Sequence, residues 1–144
     1  MADFTGPDTG LPVMGQVIPR AVRDLGALLT FTAAGAATTL GTDQVNAGAR
    51  GVRVTVDLTK NSGTIDVVVT IQNKDPASGK YIDMLSSVSL TASGTTTYTV
   101  HPDLAASANV IAKDFITEQW RVKVVSGAGS SPNFTATVGA CLLP

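Results

Sequence analysis

Residues 51–58 read Gly51-Val52-Arg53-Val54-Thr55-Val56-Asp57-Leu58. Val52, Val54, Val56 and Leu58 take every second position, and Arg53, Thr55 and Asp57 fill the places between. Successive side chains of a strand point to opposite faces, so this stretch predicts a strand with one apolar and one polar face. Lys60-Asn61-Ser62-Gly63 follows as a turn. Ile65, Val67, Val69 and Ile71 then resume the alternation against Asp66, Val68, Thr70 and Gln72. Two half-buried strands joined by a short glycine-containing turn predict an antiparallel hairpin.

The same period of two runs outward in both directions. Toward the C-terminus, Lys74–Lys80 carries Asp75-Pro76 and Ser78-Gly79 and predicts a turn. Tyr81–Leu90 predicts a strand interrupted near Ser86-Ser87, and Thr95–Val100 another, ended by His101-Pro102. In Gln119–Val125, Trp120, Val122 and Val124 share one face, and in Phe134–Leu142 the inner positions are Phe134, Ala136 and Val138. The Ala-rich stretch Leu104–Phe115 reads as a short helix or a long loop, and Leu104–Glu118 suits a crossover between sheets. Gly127–Pro132 reads as a loop. Toward the N-terminus, Leu28–Thr32 predicts a first strand and Thr38–Leu40 a short second one. About seven or eight short strands with turns between them predict an all-β fold, an antiparallel β-sandwich that is jelly-roll-like or immunoglobulin-like.

Residues 1–26 break the pattern. Pro7, Pro12 and Pro19, with Gly6, Gly10, Gly15 and Gly26, interrupt regular structure. Phe4, Leu11, Val13, Met14, Val17 and Ile18 are nevertheless apolar. We read 1–26 as an extended N-terminal arm that docks, through those six residues, on its own domain or on a neighbour. Pro19–Leu25 has room for one helical turn. Residues 27–144 form the sandwich domain.

At 144 residues the chain fits one domain by a prior of roughly 100–200 residues each. Charged residues make up 15%, below the usual ~25%, so Thr, Ser and Gly must cover much of the surface. Thr suits a pleated surface better than a helix. Net charge is −1 with no Lys/Arg run, which argues against a nucleic-acid partner. No apolar run approaches the ~20 residues of a membrane-spanning helix, so no membrane partner is expected. The lone Cys141 cannot form an intramolecular disulfide, which fits a reducing compartment. Met1-Ala2-Asp3-Phe4 lacks the basic start and apolar core of a signal peptide. A cytoplasmic protein, or one carried out inside a larger particle, is expected.

Candidate chemistry fails residue by residue. Asp8-Thr9-Gly10 matches an aspartic-protease triplet, but it sits in the Pro/Gly-rich arm without a second aspartate held beside it. His101 is the only histidine, lies beside Pro102, and has no G-x-S-x-G partner. Cys141, among small and apolar residues, reads as a buried structural thiol. One His and one Cys cannot complete a zinc site. Asp57, Asp66, Asp75 and Asp83 are oxygen ligands of the kind Ca²⁺ takes, with Asp57 and Asp66 expected on adjacent strands, but no local loop gathers them. Gly127-Ala128-Gly129-Ser130-Ser131 leads into a strand, not a helix N-terminus, so a phosphate cradle is not expected. No enzyme activity and no cofactor are expected. A carbohydrate-binding module is the rival reading, with Tyr81 and Tyr98 as free rings and Trp120 in the core.

Over residues 50–140 the chain resembles a family of small β-rich virion structural proteins of tailed phages. The resemblance rests on Gly51-Val-Arg-Val-Thr-Val-Asp-Leu-Thr, on Ser62-Gly63-Thr64 leading into Asp66-Val-Val-Val-Thr-Ile, and on Asp75-Pro76 with Gly79-Lys80-Tyr81. Gln119-Trp120-Arg121-Val122-Lys123-Val124, then Gly129-Ser-Ser-Pro-Asn-Phe-Thr, completes it. It implies a virion location, with assembly in the host cytoplasm. The first role it implies is capsid decoration (a cement protein) bound to the major capsid protein. A minor tail protein, a head–tail connector or a receptor-binding module are the alternatives. It also implies contacts with other virion proteins and a homo-oligomer, a trimer at capsid three-fold positions being one arrangement.

Overall fold

The alternation at Val52, Val54, Val56 and Leu58 buries all four side chains, none exposed by more than 2%. They belong to one of ten strands in the computed structural model, which describes residues 23–34, 36–46, 48–127 and 133–144. In chain order these are β1 (Arg23–Ala34), β2 (Ala37–Leu40), β3 (Gln44–Val45), β4 (Gly51–Ser62) and β5 (Val67–Lys74). Then come β6 (Tyr81–Ser86), β7 (Gly94–Val100), β8 (Ile111–Ala112), β9 (Gln119–Ser126) and β10 (Asn133–Leu143). One sheet has the order β1-β10-β4-β7-β8 and the other β2-β9-β5-β6, with β3 also paired to β9. Every pairing is antiparallel except β7 with β8.

Without the two-residue strands β3 and β8, each sheet has four strands. The first strand pairs with the last, and the second with the one before the last. That order is the double Greek key of a jelly roll. In an immunoglobulin sandwich the first two strands are neighbours in one sheet, whereas here β1 and β2 lie in different sheets.

The expected hairpin between residues 51–58 and 65–71 is not formed. β4 lies between β10 and β7, while β5 lies between β9 and β6 in the opposite sheet. Alternation says which face of a strand is buried and nothing about which strand lies beside it. β4 instead runs on to Ser62, Gly63 takes a left-handed φ of 73°, and the chain crosses to the other sheet. Ile65, fully buried, plugs that crossing. The antiparallel hairpin that does form among the described residues joins β5 and β6 across the expected turn. There Asp75 N donates to Lys80 O (2.7 Å), and the Asp75 carboxylate accepts from Ser78 N (2.9 Å).

The core lies between the sheets. Val52–Leu58 of β4, Tyr98 and Val100 of β7, and Phe134, Ala136, Val138 and Leu142 of β10 meet Val67, Val69 and Ile71 of β5, Leu85 of β6, and Trp120, Val122 and Val124 of β9. Trp120 and Phe134 are fully buried and are the largest of these side chains. Each such residue contributes roughly 1.5–3 kcal/mol of transfer free energy. At the start of β4 an added Cβ on Gly51 would stand 2.3 Å from Val100 O, so only glycine lets β4 and β7 approach there.

Other boundaries shift. β1 begins at Arg23, so Arg23–Leu25 are strand rather than part of a helical turn, and residues 19–22 lie outside the described residues. β2 forms where expected. β6 stops at Ser86, and Leu90 returns to bridge Val67, which matches the expected interruption. The Ala-rich connection is a loop carrying β8, and it crosses from the first sheet to the second.

Candidate interaction surfaces

The six apolar arm residues Phe4, Leu11, Val13, Met14, Val17 and Ile18 lie outside the described residues, as does the Asp8-Thr9-Gly10 triplet. The described chain shows where its first strand starts. Arg23 pairs with Leu142, Leu142 with Val52, and Val52 with Val100, so β1 starts at the end of the sandwich from which the β7–β9 crossover departs. That end also carries β3, since Asn46 N donates to Glu118 O (2.7 Å) and Ile116 N to Arg50 O (3.2 Å).

Two asparagines hold this end together. Asn73 is 4% exposed; its Nδ2 donates to Phe115 O (3.0 Å), and its Oδ1 accepts from Thr117 N (3.1 Å). Asn46 Nδ2 donates to Ala49 O (2.8 Å) and Ile116 O (3.2 Å), while its Oδ1 accepts from Ala49 N (2.7 Å). The irregular backbone of the crossover thus finds partners in side-chain amides instead of a ladder. Arg50 makes a two-pronged pair with Asp103 beside them, Nη1 to Oδ2 and Nη2 to Oδ1. Upon this frame stand exposed apolar side chains: Val45 (60%), Phe115 (57%), Val110 (44%) and Leu104 (39%). Isolated exposed apolar residues are ordinary, but several at one end mark an interaction surface.

The outer face of the second sheet is different in kind. Tyr81 of β6 donates to Asp43 Oδ1 (2.5 Å), and Lys74 of β5 pairs with Asp43 Oδ2 (2.9 Å). Both bonds hold the Asp43 carboxyl below its ordinary pKa, Tyr81 more than Lys74, and the Asp43 bond raises that of Lys74. The Arg121 guanidinium of β9 lies over the Tyr81 ring at 3.4 Å, and its Nε donates to Gln72 Oε1 (2.9 Å). Gln72 Nε2 donates in turn to Asp83 Oδ1 (2.6 Å), which Lys123 approaches at 3.6 Å. The network crosses β9, β5 and β6 and fixes its members against one another.

The candidates singled out in the sequence fall apart spatially. Tyr98 is not free; it is 4% exposed, in the core. Tyr81 is half-buried, with one ring face taken by Arg121. Cys141 is half-buried on the outer face of the first sheet, not in the core, because Leu142 takes the inward position beside it. Asp57 and Asp66 are not on adjacent strands: Asp57 of β4 accepts from Thr95, and Asp66, in the crossing to the other sheet, accepts from Ser89. Asp75 belongs to its own turn and Asp83 to the network above. Among the described residues no three His, Cys, Asp or Glu side chains gather as metal ligands. His101 Nε2 contacts Pro144 O (2.7 Å), and its Nδ1 accepts from Asp103 N (3.2 Å). Residues 128–132 of the Gly-rich loop lie outside the described residues.

Sequence reasoning missed Asn73, Asn46 and Asp43. Asn73 had a signal, because it occupies the inward parity of Val67, Val69 and Ile71, where an amide must find buried partners. Asp43 had none, since its partners come from strands distant in the chain.

No protein-family model and no curated protein sequence matches the chain. Several solved structures share its fold, three of them from one virus. The fold is similar to that in the Gt strain of infectious bursal disease virus, with TM-score 0.51 and 13% identity, covering 96% of this chain and 41% of that one. It is similar to that in the T13 particle of the same virus, with TM-score 0.51 and 11% identity, covering 92% and 36%. A mutant VP2 protein of that virus in derived T=1 particles gives TM-score 0.50 and 12% identity, covering 96% and 35%. The chain spans well under half the length of these neighbours, and at such identities the likeness is one of fold.

Proposed function

We propose that this chain is a structural protein of a virion: a capsid decoration protein that binds the major capsid protein, stabilises the head and carries no catalytic step. The observation that supports this reading is where β1 begins. β1 begins at the end of the jelly roll where Val45, Leu104, Val110 and Phe115 are exposed. An apolar arm that precedes β1 would enter beside these exposed side chains, and extended segments of this kind bind by burying side chains and adding strands to neighbouring edges. The jelly-roll order supports the reading as well, since that architecture serves in viral capsid domains. No observation favours the carbohydrate-binding alternative, because Tyr98 is buried and one face of the Tyr81 ring is taken by Arg121.

Deleting residues 2–18 is expected to leave a folded domain that no longer binds capsids. Val45→Ser and Phe115→Ser together are expected to change stability by no more than about 0.5 kcal/mol each and to weaken binding. Co-sedimentation with undecorated heads reads both. Undiminished binding by the deletion would remove the arm from the mechanism.

A further inference from the structure

A jelly roll leaves sheet edges, and an edge offers unpaired N–H and C=O groups to any strand that fits. Here the edges are unequally protected. β6 carries Asp83 and a register shift opposite Ile71 and Gln72; β2 has four residues and β8 two. β1 is twelve residues long and, among the described residues, pairs on one side only, with β10. Its first half is guarded by Arg23 and Asp24 and by two register shifts, between Asp24 and Gly26 and between Ala27 and Leu29. From Leu29 to Ala34 the register is regular, and Leu29-Thr30-Phe31-Thr32-Ala33-Ala34 holds no charge, proline or glycine. Charge, proline and bulges are the usual protection of an edge, and this half of β1 lacks all three.

We propose that Leu29–Ala33 pairs with the same segment of a second copy, antiparallel, across a two-fold axis perpendicular to the sheet, so that two five-stranded sheets run into one. The segment suits a copy of itself better than it suits an arbitrary strand. Such an axis keeps outer faces on the outer side, so paired positions must share parity, and the sum of their numbers is even. With Phe31 on the axis, Thr30 stands opposite Thr32 of the second copy, and Thr32 opposite its Thr30. The monomer already makes this kind of pair on the same face: Thr30 lies opposite Thr137 and Thr32 opposite Thr135, the latter two hydroxyls 3.1 Å apart. The dimer thus extends existing threonine rows, and cross-strand threonine pairs are favourable. Arg23 and Asp24 fall beyond the paired segment, so no like charges meet. A five-residue ladder is a small interface, of the weak class.

The test is sedimentation velocity on the full chain from about 10 µM to about 1 mM, a range suited to a weak contact. A concentration-dependent dimer is expected. The variant T30K/T32K sets two like-charge pairs across the axis and is expected to raise the dimer Kd about tenfold. The variant T30K/T32E sets opposite charges there and is expected to restore the wild-type Kd or lower it. A wild-type chain monomeric throughout, as when its own arm fills the edge, overturns the proposal. So does a dimer that both variants affect equally, or one that neither affects.

Discussion

The guanidinium carbon of Arg121 lies 3.4 Å from the ring centroid of Tyr81, although β9 and β6 are not neighbours and β5 separates them. The contact ties two strands that share no ladder bonds. Cation–π contacts at exposed sites contribute about 0.5–1 kcal/mol, and a hydrogen bond to a charged group about 1.5–3 kcal/mol before solvent screening reduces it. Tyr81→Phe keeps the ring and loses the bond to Asp43, so it is expected to cost about 1 kcal/mol. Tyr81→Ala loses both and is expected to cost more. Urea denaturation of the two variants checks the order; equal costs would mean that the ring contributes nothing.

Asp43 gives the same network a pH signature. Its carboxyl is held below the ordinary value, chiefly by the Tyr81 hydroxyl and then by Lys74. A depressed folded pKa contributes stability that is complete above the unfolded value, about 3.9, and is lost as pH falls through the folded one. Lys74 is shifted upward by the same pair, so its contribution is lost as pH rises through its raised folded value. Asp43→Asn is therefore expected to be less stable than the wild type at pH 7, by a gap that narrows as the pH falls below about 3.9. Denaturation midpoints across that range decide; a gap that does not change with pH would sink the assignment.

Asn73 pins the crossover between β7 and β9. Removing its amide leaves Phe115 O and Thr117 N without their partner, and a buried unsatisfied group costs roughly 1–3 kcal/mol. Asn73→Ala is expected to destabilise by about 2–3 kcal/mol and to speed amide exchange in residues 113–118 ahead of the rest. Uniform exchange across the domain would assign Asn73 to global stability alone.

What the sequence made legible follows from the range of the forces involved. Strand positions were readable because alternation is local: Val52–Leu58, Trp120–Val124 and Phe134–Val138 face inward as their spacing demands. Partnership was not, because β4 finds β10 and β7 from distant parts of the chain while the nearby β5 joins the other sheet. Surface roles failed in the same way. Tyr81 and Tyr98 look alike in sequence, yet one is held under Arg121 and the other is in the core. The arm remains an inference from composition, since its six apolar residues lie outside the described residues.

The pairing of β1 and β4 with β10 also sets the order of events during synthesis. β10 fills the place between them, and it leaves the ribosome after every other described strand. At about 5–20 residues per second, β4 waits several seconds with one ladder unmade and its valines uncovered. Non-local pairing of this kind folds slowly, and the first sheet cannot close before residues 133–143 have emerged. A nascent chain therefore holds no finished sandwich until then, and any chain cut short before residue 133 lacks the strand that closes the sheet.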